Sequence, residues 1–244
     1  MLKTCSITDI GKKRQLNQDI VFTSDQKIGN LPNVFIVADG MGGHKAGDYA
    51  SRYTVETITE EIANSLETTA DSIIRGAIVK ANQNVKEAAD ADDRLSGMGS
   101  TVVVATYDGT VLEVANVGDS RLYVVNQDNI HQITTDHSLV EEMVRMGGLA
   151  RADARTHPDK NIITRAVGAQ NLIEVDFFEV ILHPGDIVLL CSDGLTNMLE
   201  DQEIKEILNL QDELFIKAGK LVELANQNGG KDNIAVVLME PFAE

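Results

Sequence analysis

The sequence predicts an α+β fold: an αββα four-layer sandwich in which two mainly antiparallel β-sheets pack face to face and are flanked by helices. Three observations lead there. Strand-like runs come first, then two long helical periods, a meander of strands, further helices and a final strand. Asp108-Gly109, between two β-rich runs, is a strong hairpin signal and implies antiparallel pairing. The consecutive helical periods over 46–66 and 70–90 are each long enough to cover a sheet face.

The elements follow in order. Residues 4–10 mix polar and β-branched side chains and predict a first strand. A polar, basic loop over 11–19 leads into a strand at Ile20-Val21-Phe22, and a wholly apolar run, 34–38, predicts a strand buried on both faces. Helical spacing of Ala50, Tyr53, Thr54, Thr57, Ile58, Ile62 and Leu66 is followed by a second apolar face built from Ile73, Ile74, Ala77, Ile78, Ala81, Val85 and Ala88. Strands are predicted at 101–107, 111–117, 122–125 and 129–134. A short helix over 138–146 has Ser138 as its N-cap and Gly147-Gly148 as its stop. Residues 147–165 are polar and form a candidate flap. A strand over 173–182, a second apolar run at 187–191, helices near 201–208 and 213–226, and a last strand ending near Leu238 complete the chain.

The length of 244 residues suits one large domain, so 1–244 is read as a single unit. With no Trp and 4% aromatic residues, the core must be aliphatic. A net charge of -17 argues against nucleic acid or an anionic membrane as the main partner. Cys5 and Cys191 are too few for a disulfide framework and suit a reducing compartment. No apolar run reaches membrane-spanning length and no secretory pattern opens the chain, so the expectation is a cytoplasmic monomer.

The chemistry lies where the apolar runs stop. Residues 34–38 end at Asp39, with Gly40, Gly42 and Gly43 close behind. A single Asp-Gly pair is most often a hairpin turn. Here the pattern recurs: Asp193-Gly194 follows a second apolar run, Gly118-Asp119 closes an alternating strand, and Asp232 precedes the last strand. Four aspartates at strand ends can gather at one edge of a sandwich. Buried carboxylates need compensation, and oxygen-only donors select Mg²⁺ or Mn²⁺ rather than zinc. Arg14 in the basic loop reads either as a solvated charge or as a guanidinium fork for a phosphate dianion. Thr101, Ser120, His137 and Arg165 read as structural groups near this edge.

Seven stretches, in order, resemble the bacterial branch of the metal-dependent (PPM, type 2C) serine/threonine protein phosphatases. They are residues 11–19, 37–44, 97–101, 117–121, 136–140, 191–195 and 232–234. The resemblance implies a two-metal centre of Mn²⁺ or Mg²⁺, with Asp39 bridging, the Gly40 carbonyl as a further ligand, and Asp193 and Asp232 on the first ion. It implies Asp119, shared with Asp193, for a possible third ion, and Arg14 as the phosphate grip. Asp19 and Gln18 would orient waters from behind, Gln18 standing where many relatives carry Glu. Met41 stands where animal relatives place a general-acid His, which leaves His44 as the candidate acid.

The implied reaction is hydrolysis of phosphoserine and phosphothreonine on proteins by direct attack of a hydroxide bridging the two ions, in signalling that opposes a bacterial serine/threonine kinase. A cysteine-phosphatase mechanism is excluded, because the position six after Cys191 is Asn197 rather than Arg. The competing class is a non-catalytic metal-binding module that keeps the fold. The complete aspartate set and Arg14 favour the enzyme.

Overall fold

A computed structural model describes residues 2–42 and 46–242. Its elements run β1 (Lys3–Asp9), β2 (Asp19–Ser24), β3 (Val34–Met41), α1 (Ala46–Asn64), α2 (Ala70–Ala91), β4 (Gly99–Ser100), β5 (Val102–Tyr107), β6 (Val111–Val117), β7 (Arg121–Val125) and β8 (Ile130–Gln132). They continue with α3 (Leu139–Arg145), α4 (Arg151–Ala154), β9 (Asp176–Ile181), β10 (Ile187–Cys191), α5 (Asp193–Thr196), α6 (Asp201–Leu208), α7 (Leu214–Gln227) and β11 (Ile234–Glu240). One sheet has the order β1-β11-β10-β7-β8. The other has β2-β3-β5-β6-β9, with β4 pairing the end of β3. The paired strands are antiparallel in both sheets.

Alternation along the strands divides the apolar residues into three layers. Phe35, Val37, Val103, Leu122, Leu190 and Val237 pack between the sheets. Ile36, Val104 and Ala115 turn to the other face of their sheet and meet Ile58, Ile62, Ile74 and Ile78 of α1 and α2. Leu189, Val236 and Leu238 do the same toward Ile204 of α6 and Leu221 of α7. With successive side chains on opposite faces, strands covered on both sides read as continuous apolar runs. The expected αββα sandwich is the fold observed.

Several boundaries differ from expectation. The 34–38 run does not stop at Asp39: β3 continues to Met41, because β4 supplies partners for Gly40 and Met41. The strand expected from 173 begins at Asp176, opposite Asn116. Its partner β6 ends at Val117 and turns away at Gly118 (φ +108), so residues 173 and 174 lie beyond the end of the ladder. The strand expected over 129–134 is three residues long, since the Thr134 hydroxyl, rather than the ladder, accepts the Leu122 N–H at 3.0 Å. Leu66, read as part of the α1 face, lies beyond the helix and is 95% exposed. Ser138 caps α3 as expected, accepting the Glu141 N–H at 3.3 Å.

Candidate active site

The centre is assembled at one end of the sandwich. Asp19 opens β2 and is the register partner of Asp39 in β3. The backbone of Asp39 is clamped: its N–H donates to Thr101 Oγ1 at 3.0 Å and its carbonyl accepts the Thr101 N–H at 2.8 Å. Thr101 Oγ1 also meets Ser120 Oγ at 2.7 Å, which ties β3 to the turn carrying Asp119. That turn is fixed from behind, where Gly118 N–H donates to His137 Nδ1 at 2.9 Å. His137 Nε2 lies 3.1 Å from Asp176, and Arg165 pairs with Asp176 at 2.7 Å. His137 and Arg165 thus occupy the structural places expected of them.

Asp193 follows β10 and opens α5, whose Asn197 Nδ2 donates to Asp193 Oδ2 at 2.8 Å. Asp232 precedes β11 and accepts Arg14 Nη2 at 2.6 Å on one oxygen and the Asn233 N–H at 2.8 Å on the other. The two segments touch so closely that a Cβ at Gly194 would sit 1.8 Å from the Asn233 carbonyl oxygen. Gly40 is similarly confined, with the Gly47 carbonyl oxygen 2.0 Å from where its Cβ would lie. Its N–H donates to the Gln18 carbonyl at 3.0 Å.

Two residues of the centre carry no role in the sequence reading. Asn233 holds the Arg14 loop, donating to the carbonyls of Ile10 (2.9 Å) and Leu16 (3.0 Å) and accepting the Gln18 N–H at 2.9 Å. Ser192 donates to Asp19 Oδ2 at 2.6 Å while accepting the Ala235 N–H at 2.9 Å. The available signal was a polar residue next to each aspartate at a strand end, but pattern alone cannot say which backbone groups such a side chain satisfies. His44 lies outside the described residues.

The carboxylates act on one another electrostatically. Burial, reinforced by the charges of Asp193 and Asp232, pushes the Asp19 carboxyl up to about 7 against the Ser192 hydrogen bond. Asp193 is pushed up to about 6 by burial and by Asp232. Asp39 is raised well above the carboxylate range by burial and by Asp19, Asp193, Asp119 and Asp232, and Asp119 by burial, Asp193 and Asp136. Arg14 is held charged: partial burial works against it, but the bond to Asp232 and the charges of Asp232, Asp39 and Asp193 outweigh that.

The donor set suits hard divalent cations. It offers oxygens only, and Asp19 Oδ1 and Asp193 Oδ1 are buried with no hydrogen-bond partner. Among the described residues, no three His, Cys, Asp or Glu side chains close tightly enough to grip one ion between them. Mg²⁺-type ions characteristically keep several waters, so water would complete the coordination. Beside Asp119 and Asp193 lies a cleft of about 350 Å³, walled by Arg155, Lys160 and Asn197. Lys160 Nζ donates to Asn197 Oδ1 at 2.7 Å and Arg155 to the Leu199 carbonyl at 2.9 Å, tying residues 147–165 to the α5–α6 connection.

A two-sheet sandwich with helices outside and a cluster of aspartates at one end is the architecture of the metal-dependent phosphatases. The protein phosphatase 2C family pattern matches residues 11–235. The chain is 42% identical to the serine/threonine phosphatase stp of Listeria monocytogenes, over 96% of this chain and 93% of that one. The crystal structure of the serine/threonine phosphatase Stp1 from Staphylococcus aureus superposes with a TM-score of 0.92 at 34% identity, covering 98% of this chain and 95% of that one. The catalytic domain of the serine threonine protein phosphatase PstP, solved in complex with 2 manganese ions, superposes with a TM-score of 0.86 at 29% identity, covering 98% of this chain and 97% of that one. The chain belongs to the protein phosphatase 2C family and is a serine/threonine protein phosphatase of the bacterial type.

Proposed function

We propose that the chain, acting as a single phosphatase domain, hydrolyses phosphoserine and phosphothreonine on proteins at the Asp39 centre with two Mn²⁺ or Mg²⁺ ions, and thereby opposes a serine/threonine kinase in cytoplasmic signalling. One observation carries this reading: five mutually repelling carboxylates meet at one strand edge, and the Arg14 guanidinium bonds directly to one of them, Asp232. Asp39, Asp193 and Asp232 would hold the first ion, Asp39 and the Gly40 carbonyl the second, and Asp119 with Asp193 a third. When bound, the ions supply Lewis acidity and a water activated near neutral pH.

The chain's own residues do the rest. A phosphate dianion would be repelled by the carboxylates, and Arg14 offers it a planar fork of N–H donors that also steadies charge on its equatorial oxygens. Asp19, on the β2 partner of Asp39, and Gln18 would orient water from behind. His44 is the candidate donor of a proton to the leaving serine or threonine oxygen. The 147–165 flap would contribute Lys160 and Arg155 to the phosphoprotein side of the cleft.

The deciding assay is turnover of p-nitrophenyl phosphate and of a phosphothreonine peptide with Mn²⁺, with and without EDTA, for the wild type and Asp39→Ala. The expected result is Mn²⁺-dependent hydrolysis that chelation or the substitution abolishes. Undiminished turnover in EDTA would exclude this mechanism.

A further inference from the structure

The acidic centre has a basic shoulder. Lys12, Lys13 and Arg14 stand together on the loop over 11–19, and Lys231 directly precedes Asp232. The two segments are packed as one unit. The Lys12 and Lys13 N–H groups both donate to the Gly230 carbonyl, at 2.8 and 3.1 Å. A Cβ at Gly11 (φ +75) would lie 2.2 Å from the Asp232 carbonyl oxygen, an approach too close for any side chain. Asn233, through its bonds to Ile10, Leu16 and Gln18, holds the loop at both ends. Lys12, Lys13 and Lys231 are therefore presented from a fixed backbone beside Arg14 and Asp232, and all three are exposed.

These lysines differ from other cations of the chain. Acids outnumber bases, 38 to 21, and cations elsewhere commonly take an acidic partner: Arg52 pairs with Asp48, Arg75 with Asp71 and Lys220 with Asp212. Among the described residues, no carboxylate pairs with Lys12, Lys13 or Lys231. Neutralising the centre does not require them either. Two divalent ions and Arg14 would balance its five carboxylates, which leaves the lysines in surplus. The positive field continues across the mouth of the centre. Burial, then the like charges of Arg155, Lys231 and Arg121, hold Lys160 below the usual lysine range against the pull of Asp193. Like charges gathered without counter-ions beside a binding site attract the opposite charge from a ligand. Arg14 and the ions would meet the phosphate itself, so this surplus charge faces the chain on either side of the phosphorylated residue.

We propose that Lys12, Lys13 and Lys231 form a specificity surface that selects phosphoserine and phosphothreonine sites flanked by aspartate or glutamate. The proposal rests on the phosphatase reading of the centre and names the kind of protein site that the centre prefers. The contacts are exposed ion pairs, each weak, so they discriminate through their sum and through faster encounter. They lie beyond the reacting phosphate, so they act on capture of the substrate and are read in KM rather than in kcat.

The test is steady-state hydrolysis, with Mn²⁺, of three phosphothreonine peptides of equal length. Glutamate, glutamine or lysine flanks the phosphosite on both sides. p-Nitrophenyl phosphate, which has no flank, is run in parallel. The wild type should favour the glutamate over the glutamine peptide by about tenfold in kcat/KM, mostly through KM, with the lysine peptide last. The advantage should shrink toward unity in about 1 M salt, where exposed charges are screened. Lys12→Gln/Lys13→Gln/Lys231→Gln should erase the preference, and Lys12→Glu/Lys13→Glu should turn it toward the lysine peptide. The thermal midpoint of each variant, measured alongside, should stay at the wild-type value, because exposed side chains without partners are replaced. Equal kcat/KM for the three peptides, with p-nitrophenyl phosphate turned over normally, would overturn this proposal alone. A preference that survives in the triple variant would do the same. No turnover of p-nitrophenyl phosphate would overturn the phosphatase reading and this one with it.

Discussion

Asp19 and Asp39 are direct partners across the β2–β3 ladder, and Asp19 is only 2% exposed with one carboxylate oxygen unpartnered. Two carboxyl groups in that relation, beside Asp193, share their environment with protons or with cations. A carboxyl whose pKa rises on folding binds more protons in the native than in the unfolded chain, so native stability falls as pH rises. With Asp19 raised to about 7 and Asp193 to about 6, the fall spans the range from their unfolded values up to about neutrality. Thermal denaturation in EDTA should therefore show a midpoint that drops between about pH 4 and pH 7. Mn²⁺ competes with protons for these oxygens, so the midpoint gained on adding it should be larger at pH 8 than at pH 5. A chelated protein equally stable across this range would contradict the arrangement.

Arg14 is half exposed, and its 2.6 Å pair with Asp232 is of the surface kind. Removing it should alter stability by about 1 kcal/mol or less. Its loss should be felt in the reaction instead, because among the described residues it is the one guanidinium bonded directly to a carboxylate of the centre. Arg14→Ala is expected to lower kcat/KM by about 10²–10³-fold, the scale for losing one preorganised donor to a developing oxyanion. Arg14→Lys should not restore it, since a point charge cannot reproduce a planar fork. Unchanged kcat/KM in Arg14→Ala would remove it from the substrate contacts.

The sequence was most informative where burial is symmetrical. The runs at 34–38 and 187–191 read as strands covered on both faces, and the aspartates after them as groups that one sheet edge could gather. The pattern was silent where pairing depends on a distant partner. Nothing in residues 173–175 says that β6 turns away at Gly118, and β4 has only two residues, too short for any periodicity. Asn233 and Ser192 escaped for a related reason: each satisfies backbone or carboxylate groups far away in sequence, such as Ile10 and Asp19, whose proximity exists only after folding.

Ser192 offers a direct measure of that hidden support. Its hydroxyl joins Asp19 to the backbone of β11 through bonds of 2.6 and 2.9 Å. Ser192→Ala would strip both the Asp19 oxygen and the Ala235 N–H of a partner in a fully buried place, a loss of about 1–3 kcal/mol. Urea denaturation should register it as a lower midpoint with an unchanged slope. The Asp19 carboxyl would also lose the larger of the two hydrogen bonds that lower its pKa, the other being with Asp39, so the stability decline with pH in EDTA should steepen. A variant as stable as the wild type, with the same pH profile, would mean that Asp19 is supported from elsewhere.

Gly194 tests the contact that brings Asp193 and Asp232 together. A methyl group there would meet the Asn233 carbonyl oxygen at 1.8 Å, and backbone on both sides leaves no flexible atom to yield. Gly194→Ala should destabilise by about 1–3 kcal/mol through overpacking, or by several degrees in thermal midpoint for a chain of this size. The strain falls between two of the proposed ligands, so Mn²⁺ affinity and turnover should drop further than the stability loss predicts. Gly219→Ala provides the control: nothing lies within 4 Å of the added carbon, and replacing a glycine inside α7 should stabilise by up to about 1 kcal/mol with turnover intact. If Gly194→Ala instead kept wild-type affinity for Mn²⁺, the close approach of α5 to the start of β11 would be incidental to the acidic centre, and the spacing of Asp193 and Asp232 would have to be set by β10 and β11 alone.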